Sequence, residues 1–325
     1  MKFSFCVSLL ALASGATAFT FVANAPSARL STSLSAEVTV ALIKELRGAT
    51  GVGMMDCKKA LIEADGDVEI AGENLRKSGL AKADKKASRI AAEGKIVSAM
   101  AGNKAVLVEV NCETDFVAKD KGFLAYAASV ANAALSVDGD NVVDLLNVEV
   151  DGKTLDATRQ AMVLKIGENI QVRRMTSVGG TDSVVGSYVH MGKIGVMVEL
   201  EGGTPELCQD IAMHVAAMNP EYATKEDVPQ AALAKEREIL TAQAADSGKP
   251  ANIVEKMVEG RIRKYLEEIC LVSQTYVKTN DETVGKLIEK AGAKLKGFTR
   301  IVVGEGIEKR EDDFAAEVAK MASGK

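Results

Sequence analysis

The run Cys112-Glu113-Thr114-Asp115-Phe116-Val117-Ala118-Lys119-Asp120 holds the most chemically suggestive residues of the chain. It follows a strand-like stretch, Ala105 to Val110, and precedes a helical pattern from Phe123 to Leu135. A carboxylate beside a bulky aromatic at such a junction has two uses. Asp115 can accept from the free N–H groups of a starting helix while Phe116 anchors a core. Alternatively, the pair forms a tip that pushes its ring into a partner. The sequence has eight Phe and no Trp, so the fate of one such ring carries weight.

Other groups offer little covalent chemistry. Gly51-x-Gly53-x-x-Asp56 lacks the third glycine of a dinucleotide fingerprint and follows a helix rather than a strand. No G-x-x-x-x-G-K-[ST] loop is present. With two His and no nucleophile elbow, a Ser-His-Asp arrangement has no support. His190 falls at a hairpin turn and is expected at the surface, and His214 lies in an apolar helix and is expected in the core. The five Cys are widely spaced with no C-x-x-C, which argues against zinc and for small buried thiols. Neither a metal nor a cofactor is expected. Met54-Met55, preceded by Gly-Val-Gly, reads as core or as a soft contact surface.

The elements that must position these groups form an α+β pattern. Residues 37–79 read as three short helices. Val38, Leu42, Ile43 and Leu46 stripe the first, Gly51-Val52-Gly53 breaks it, and Met54 to Ala64 is the second. Asp67 caps a third helix, Val68 to Ser78, which Gly79 is expected to end. Gly72 inside that helix costs roughly 1 kcal/mol relative to Ala. A basic linker helix follows over 80–93, with a solvated face or a nucleic-acid contact as its use. A hairpin followed by a helix then occurs twice. The first copy is Gly94 to Met100, Ala105 to Val110 and Phe123 to Leu135. The second is Val184 to His190, Ile194 to Leu200 and Glu206 to Met218. Both helices carry Ala-x-x-Val-Ala, and further strands are expected at Asn169 to Met175 and Thr299 to Val303. These copies define core subdomains at 94–180 and 181–303. Within the second, about 228–269 reads as an antiparallel helical hairpin projecting as an arm. A C-terminal module, 304–325, carries a short amphipathic helix, Asp312 to Met321.

Residues 1–36 contain Lys2, Arg29 and no acid, and removing those two positive charges takes the formal net charge from −5 to −7. An acidic body argues against a protein that grips phosphate backbones. The leader itself reads as targeting sequence: a signal peptide over 1–18 and a Ser- and Ala-rich transit peptide over 19–36. That pattern predicts the plastid stroma, with the mitochondrion as the alternative. No later segment is long and apolar enough to cross a membrane.

The motifs together resemble one family. Thr50-Gly51-Val52-Gly53-Met54-Met55-Asp56-Cys57-Lys58-Lys59-Ala60-Leu61 and Asn111-Cys112-Glu113-Thr114-Asp115-Phe116-Val117-Ala118-Lys119 are similar to segments of elongation factor Ts. So are Lys165-Ile166-Gly167-Glu168-Asn169-Ile170, Met213-His214-Val215-Ala216, Ser247-Gly248-Lys249-Pro250 and Gly304-Glu305-Gly306-Ile307-Glu308-Lys309. The likeness runs from about Val38 to the end, with an acidic stretch at Asp138 to Asp156 as its main departure and a loop as the expectation there. The resemblance implies guanine-nucleotide exchange on elongation factor Tu, a translational GTPase, without covalent catalysis. It implies that Thr114, Asp115, Phe116 and Val117 intrude beside the GTPase's magnesium ion. Ile166 and His190 would support them from the core, and Arg47, Met54 and Met55 would grip from the N-terminal unit. The arm would reach another part of the partner or a second copy. Two other classes stay open: an adaptor, since residues 37–79 also resemble the ubiquitin-associated three-helix fold, and an RNA-binding ribosome accessory using the basic 76–95 segment.

Overall fold

The computed structural model describes residues 38–245 and 250–308. The expected leader, 1–36, and the expected helix Asp312 to Met321 lie outside the described residues, as does most of Ser247-Gly248-Lys249-Pro250.

Three helices open the described chain: α1 (Val40–Thr50), α2 (Met54–Glu63) and α3 (Val68–Ala87). Thr39 caps α1 by accepting from the Leu42 N–H, and Gly51 ends it at φ 69°, a left-handed value that suits glycine. Asp67 accepts from Glu69 and Ile70 at the start of α3. Ile43, Leu46, Val52, Cys57, Leu61 and Leu75 close a small core between them.

The expectation that Gly79 ends the third helix is corrected. α3 continues to Ala87 and takes in only the first part of the linker expected as a helix over 80–93, since residues 88–92 are not helical and β1 begins at Glu93. Gly79 serves packing instead, because a Cβ there would lie 3.2 Å from Leu164 Cδ2. A larger side chain would hold α3 off α6 (Leu155–Ile166).

Two three-stranded antiparallel sheets follow. β1 (Glu93–Ala101), β2 (Lys104–Cys112) and β5 (Ile170–Gly179) form the first, with β2 central. β6 (Val184–His190), β7 (Ile194–Glu201) and β8 (Lys294–Val302) form the second, with β7 central. Alternation along β2 divides its side chains between two layers. Val106, Val108 and Val110 face a core with α4 (Lys121–Ala134) and α6. Ala105 and Leu107 face the other way, meeting Val185, Met197 and Ile301 of the second sheet. In the same manner Val196, Val198 and Leu200 face α7 (Pro205–Met218) and α10 (Val284–Lys290). The sheets therefore lie back to back with helices outside. They approach so closely that a Cβ on Gly195 would stand 2.4 Å from Ile96 Cγ2.

Each central strand carries a glutamate just before a bulge. The register with β5 shifts between Glu109 and Val110, and that with β8 between Glu199 and Leu200. The extra residue on the third strand is Arg173 in one sheet and Lys296 in the other, and each reaches the glutamate, at 3.1 Å and 2.8 Å. Glu109 is fully buried and also receives Arg174 Nε at 2.6 Å and the Gly304 N–H at 2.7 Å. Burial pushes its pKa up, but the Gly304 N–H, the Arg174 guanidinium and Asn111 outweigh that and hold it below the ordinary value.

The stretch expected as a loop around Asp138 to Asp156 holds α5 (Val142–Leu146) and a two-stranded ribbon, β3 (Glu149–Val150) and β4 (Lys153–Thr154), before α6 begins. Farther on, α8 (Gln230–Ala245) and α9 (Ala251–Ile269) lie side by side on a seam of Leu240, Ala244, Val258 and Ile262. His214 is buried beneath their base, its Nε2 2.9 Å from Gln274 Oε1 and its Nδ1 accepting from the Val277 N–H.

Candidate functional site

The finger grows from the end of the central strand of the first sheet. Cys112, its last residue, is opposite Glu93 of β1 and Ile170 of β5, so both neighbouring strands hold the root. A single 3-10 turn, Val117–Lys119, then leads to α4.

Asp115 does not cap that helix. Asp120 does, accepting from Gly122 and Phe123 at 2.8 Å and 3.1 Å. Asp115 instead pairs with Lys119 at 2.8 Å, and that bond holds its carboxyl below the ordinary carboxylate value. Nor is Phe116 a core anchor, for it is 82% exposed. Phe123, on the first turn of α4, fills the core in its place and is fully buried. Of the two uses open at this junction, the geometry fits the outward tip. Val117 and Ala118 are buried behind the ring, so the tip rests on the core.

Thr114 is held at every polar group. Its N–H and Oγ1 donate to Glu168, at 3.1 Å and 2.7 Å, and its carbonyl accepts from Cys112 Sγ at 3.1 Å. Burial pushes the Cys112 thiol up to about 12, with the Glu168 charge adding to the effect, so it stays a neutral donor.

The remaining expected residues lie on other elements. Ile166 ends α6 two residues before Glu168 and is half-buried against the first core. Gly167 terminates that helix at φ 89°, and Lys86 of α3 donates to its carbonyl. His190 is exposed at the end of β6, with Tyr188 OH 3.1 Å from its Nδ1. Its turn docks on the edge strand beside the finger. Lys95 Nζ donates to Met191 O at 3.0 Å, and Lys193 pairs with Glu93, the register partner of Cys112, at 2.7 Å. Met191 is 78% exposed on that turn at φ 52°, a position the sequence offered no reason to single out. Arg47 lies in the last turn of α1 and Met54 and Met55 open α2, all exposed, with Met55 the more so of the two methionines. They belong to the three-helix unit, which meets α6 where Lys165 covers Gly51 and Leu164 packs on Gly79.

Cys57, Cys112, Cys208 and Cys270 are free and buried. Among the described residues no group of His, Cys, Asp and Glu could hold a metal ion, and no helix is long and apolar enough to cross a membrane.

A mixed helical and antiparallel-sheet body therefore presents one rooted aromatic outward. The family model described as elongation factor TS matches residues 113–305. A protein named elongation factor Ts from Xanthomonas campestris pv. campestris is 54% identical over 289 residues, covering 88% of this chain and 99% of that protein. One of the same name from Thioalkalivibrio sulfidiphilus is 55% identical over 293 residues, with the same coverage. The chain belongs to the elongation factor Ts family. These relatives are bacterial and point to a bacterial protein, which overturns the plastid placement expected from residues 1–36.

Proposed function

We propose that this protein is a guanine-nucleotide exchange factor for elongation factor Tu in translation elongation, and that it works without covalent catalysis. The observation that carries the reading is Phe116, an aromatic ring left 82% exposed on a turn whose root is fully hydrogen-bonded, in a chain of this family. Leaving such a ring in water forgoes roughly 2 kcal/mol of burial, which a partner's pocket recovers.

In this mechanism Thr114 to Val117 enters beside the magnesium ion of the GTPase, with Phe116 as the wedge. A GTPase holds its diphosphate through backbone N–H groups and through a magnesium ion bridging phosphate to protein. Displacing the ion leaves phosphate charge uncovered. Binding of exchanger and of nucleotide then weaken each other by one common factor. A coupling of about 4 kcal/mol loosens the nucleotide roughly a thousandfold. Ile166 and His190 flank the wedge, while Arg47, Met54 and Met55 hold the GTPase from the N-terminal unit. The α8–α9 pair reaches a second region of the partner or a second copy of this chain.

The RNA-binding alternative loses ground. Three cations of the basic stretch are engaged internally: Lys86 on Gly167, Arg89 on Glu113 and Lys95 on Met191. An adaptor role for the three helices leaves the exposed finger without a use.

Release of labelled guanosine diphosphate from purified elongation factor Tu tests the proposal. The native protein should accelerate release, and Phe116→Ala should lose at least about tenfold of that acceleration with its melting temperature unchanged. No acceleration by the native protein would sink the reading.

A further inference from the structure

We infer that the loop 167–169, between α6 and β5, is the mount that aims the finger, with Glu168 as its positioning residue. The inference rests on the exchange reading above. Residues 113–114 and 168–169 hold each other crosswise. Glu168 takes both the N–H and the hydroxyl of Thr114, while Glu113 takes the Asn169 N–H at 2.5 Å and Arg89 at 2.8 Å. A carboxylate accepting two donors from one residue fixes direction as well as distance, and its charge strengthens both bonds. The opposite side of the loop is equally tied. Asn169 is 1% exposed and its Nδ2 donates to the Arg89 carbonyl at 2.7 Å, while Gly167 O accepts from Lys86.

Folding alone does not call for this device. The second sheet makes the same passage from central strand to helix, from β7 to α7, through residues 202–204, with Thr204 capping α7. That junction has no crossed carboxylates and no exposed aromatic. The clasp therefore accompanies the finger rather than the fold. Its physical value is preorganisation: a wedge that must displace a bound ion performs better when its direction is fixed beforehand. The same loop also sets the spacing to the other grip, because Lys165 lies against Gly51 and Leu164 against Gly79.

The test compares nucleotide release from elongation factor Tu across exchanger concentrations for the native protein, Glu168→Gln, Thr114→Val, their double variant and Phe116→Ala. Glutamine keeps one acceptor and replaces the other with a donor. Valine removes the hydroxyl at constant shape. Each single variant should lower the maximal rate about five- to tenfold with less than about a twofold change in half-saturating concentration. The double variant should be no slower than the slower single one. Amide hydrogen exchange at Thr114 should speed up in Glu168→Gln, with the melting temperature held. Multiplying losses in the double variant, a change confined to half-saturation, or loss of cooperative melting in both single variants would overturn the mount. An inactive native protein would instead remove the exchange reading itself. With the native protein active and Phe116→Ala inactive, a fully active Glu168→Gln leaves that reading standing and removes this one.

Discussion

Two phenylalanines of one short stretch, Phe116 and Phe123, meet opposite fates, and Asp120 between them explains why. By capping α4 it sets the first helical turn, which drives Phe123 inward and leaves Phe116 on the turn outside. The sequence left this junction open because it offered Asp115 as the cap; the 3-10 turn at Val117–Lys119 delays the helix start and hands that role to Asp120. Truncating Phe123 to Ala should cost about 3–5 kcal/mol of unfolding free energy. Truncating Phe116 should change stability by less than about 0.5 kcal/mol, and chemical denaturation of the two variants measures the contrast. His214 was legible as a core residue from its apolar helix, and its titration follows from that burial. Burial lowers its pKa, opposed in part by the bond to Gln274. The unfolded chain therefore binds the proton first as pH falls. The contribution is full above about pH 6.5 and declines below it toward the lowered folded value. Urea midpoints at pH 7.5 and 5.5 should differ in the native protein, and the difference should shrink in His214→Gln.

The hairpins and their following helices were readable as elements, because alternation along β2 and β7 and the Ala-x-x-Val-Ala helices mark them directly. The bulges were not, since nothing in Val108-Glu109-Val110 or Val198-Glu199-Leu200 announces a register shift. What the shift achieves is visible only in three dimensions: Arg173 and Arg174, neighbours in sequence, both reach Glu109. Removing that carboxylate strands two partly buried guanidiniums and the Gly304 N–H, so Glu109→Ala should destabilise by about 3 kcal/mol. Glu199→Ala should cost only about 1 kcal/mol, because Lys296 is 42% exposed. Helix α6 escaped notice behind its acidic approach, although Thr154 and Gly167 mark its two ends. Gly79 within α3 also misled. Gly79 is there for close packing, whereas Gly72 has room: a Cβ would lie 3.9 Å from Leu46 Cδ1. Gly72→Ala should therefore raise stability by about 0.5–1 kcal/mol, read as a higher melting temperature.

At the scale of the whole molecule, the duplicated hairpin-and-helix pattern in the sequence corresponds to two sheets packed back to back, with helix layers outside. The clasp between residues 113–114 and 168–169 was invisible in sequence, because it joins segments far apart in the chain through polar groups that carry no periodicity. The buried thiols followed from their spacing, and their surroundings add a consequence. Burial raises Cys112 to about 12 and Cys208 to about 11. Both should resist iodoacetamide at pH 8 in the native protein and react once urea unfolds it. Gly195 matters at this scale too, for its missing side chain lets Ile96 and Leu107 of the opposite sheet seat against the β7 backbone. Two slabs meshed in that way resist sliding. In the proposed complex, load on the ring at the finger's tip would therefore pass into the bulk of the core instead of flexing a hinge, and stiffness would be a mechanical asset of the molecule.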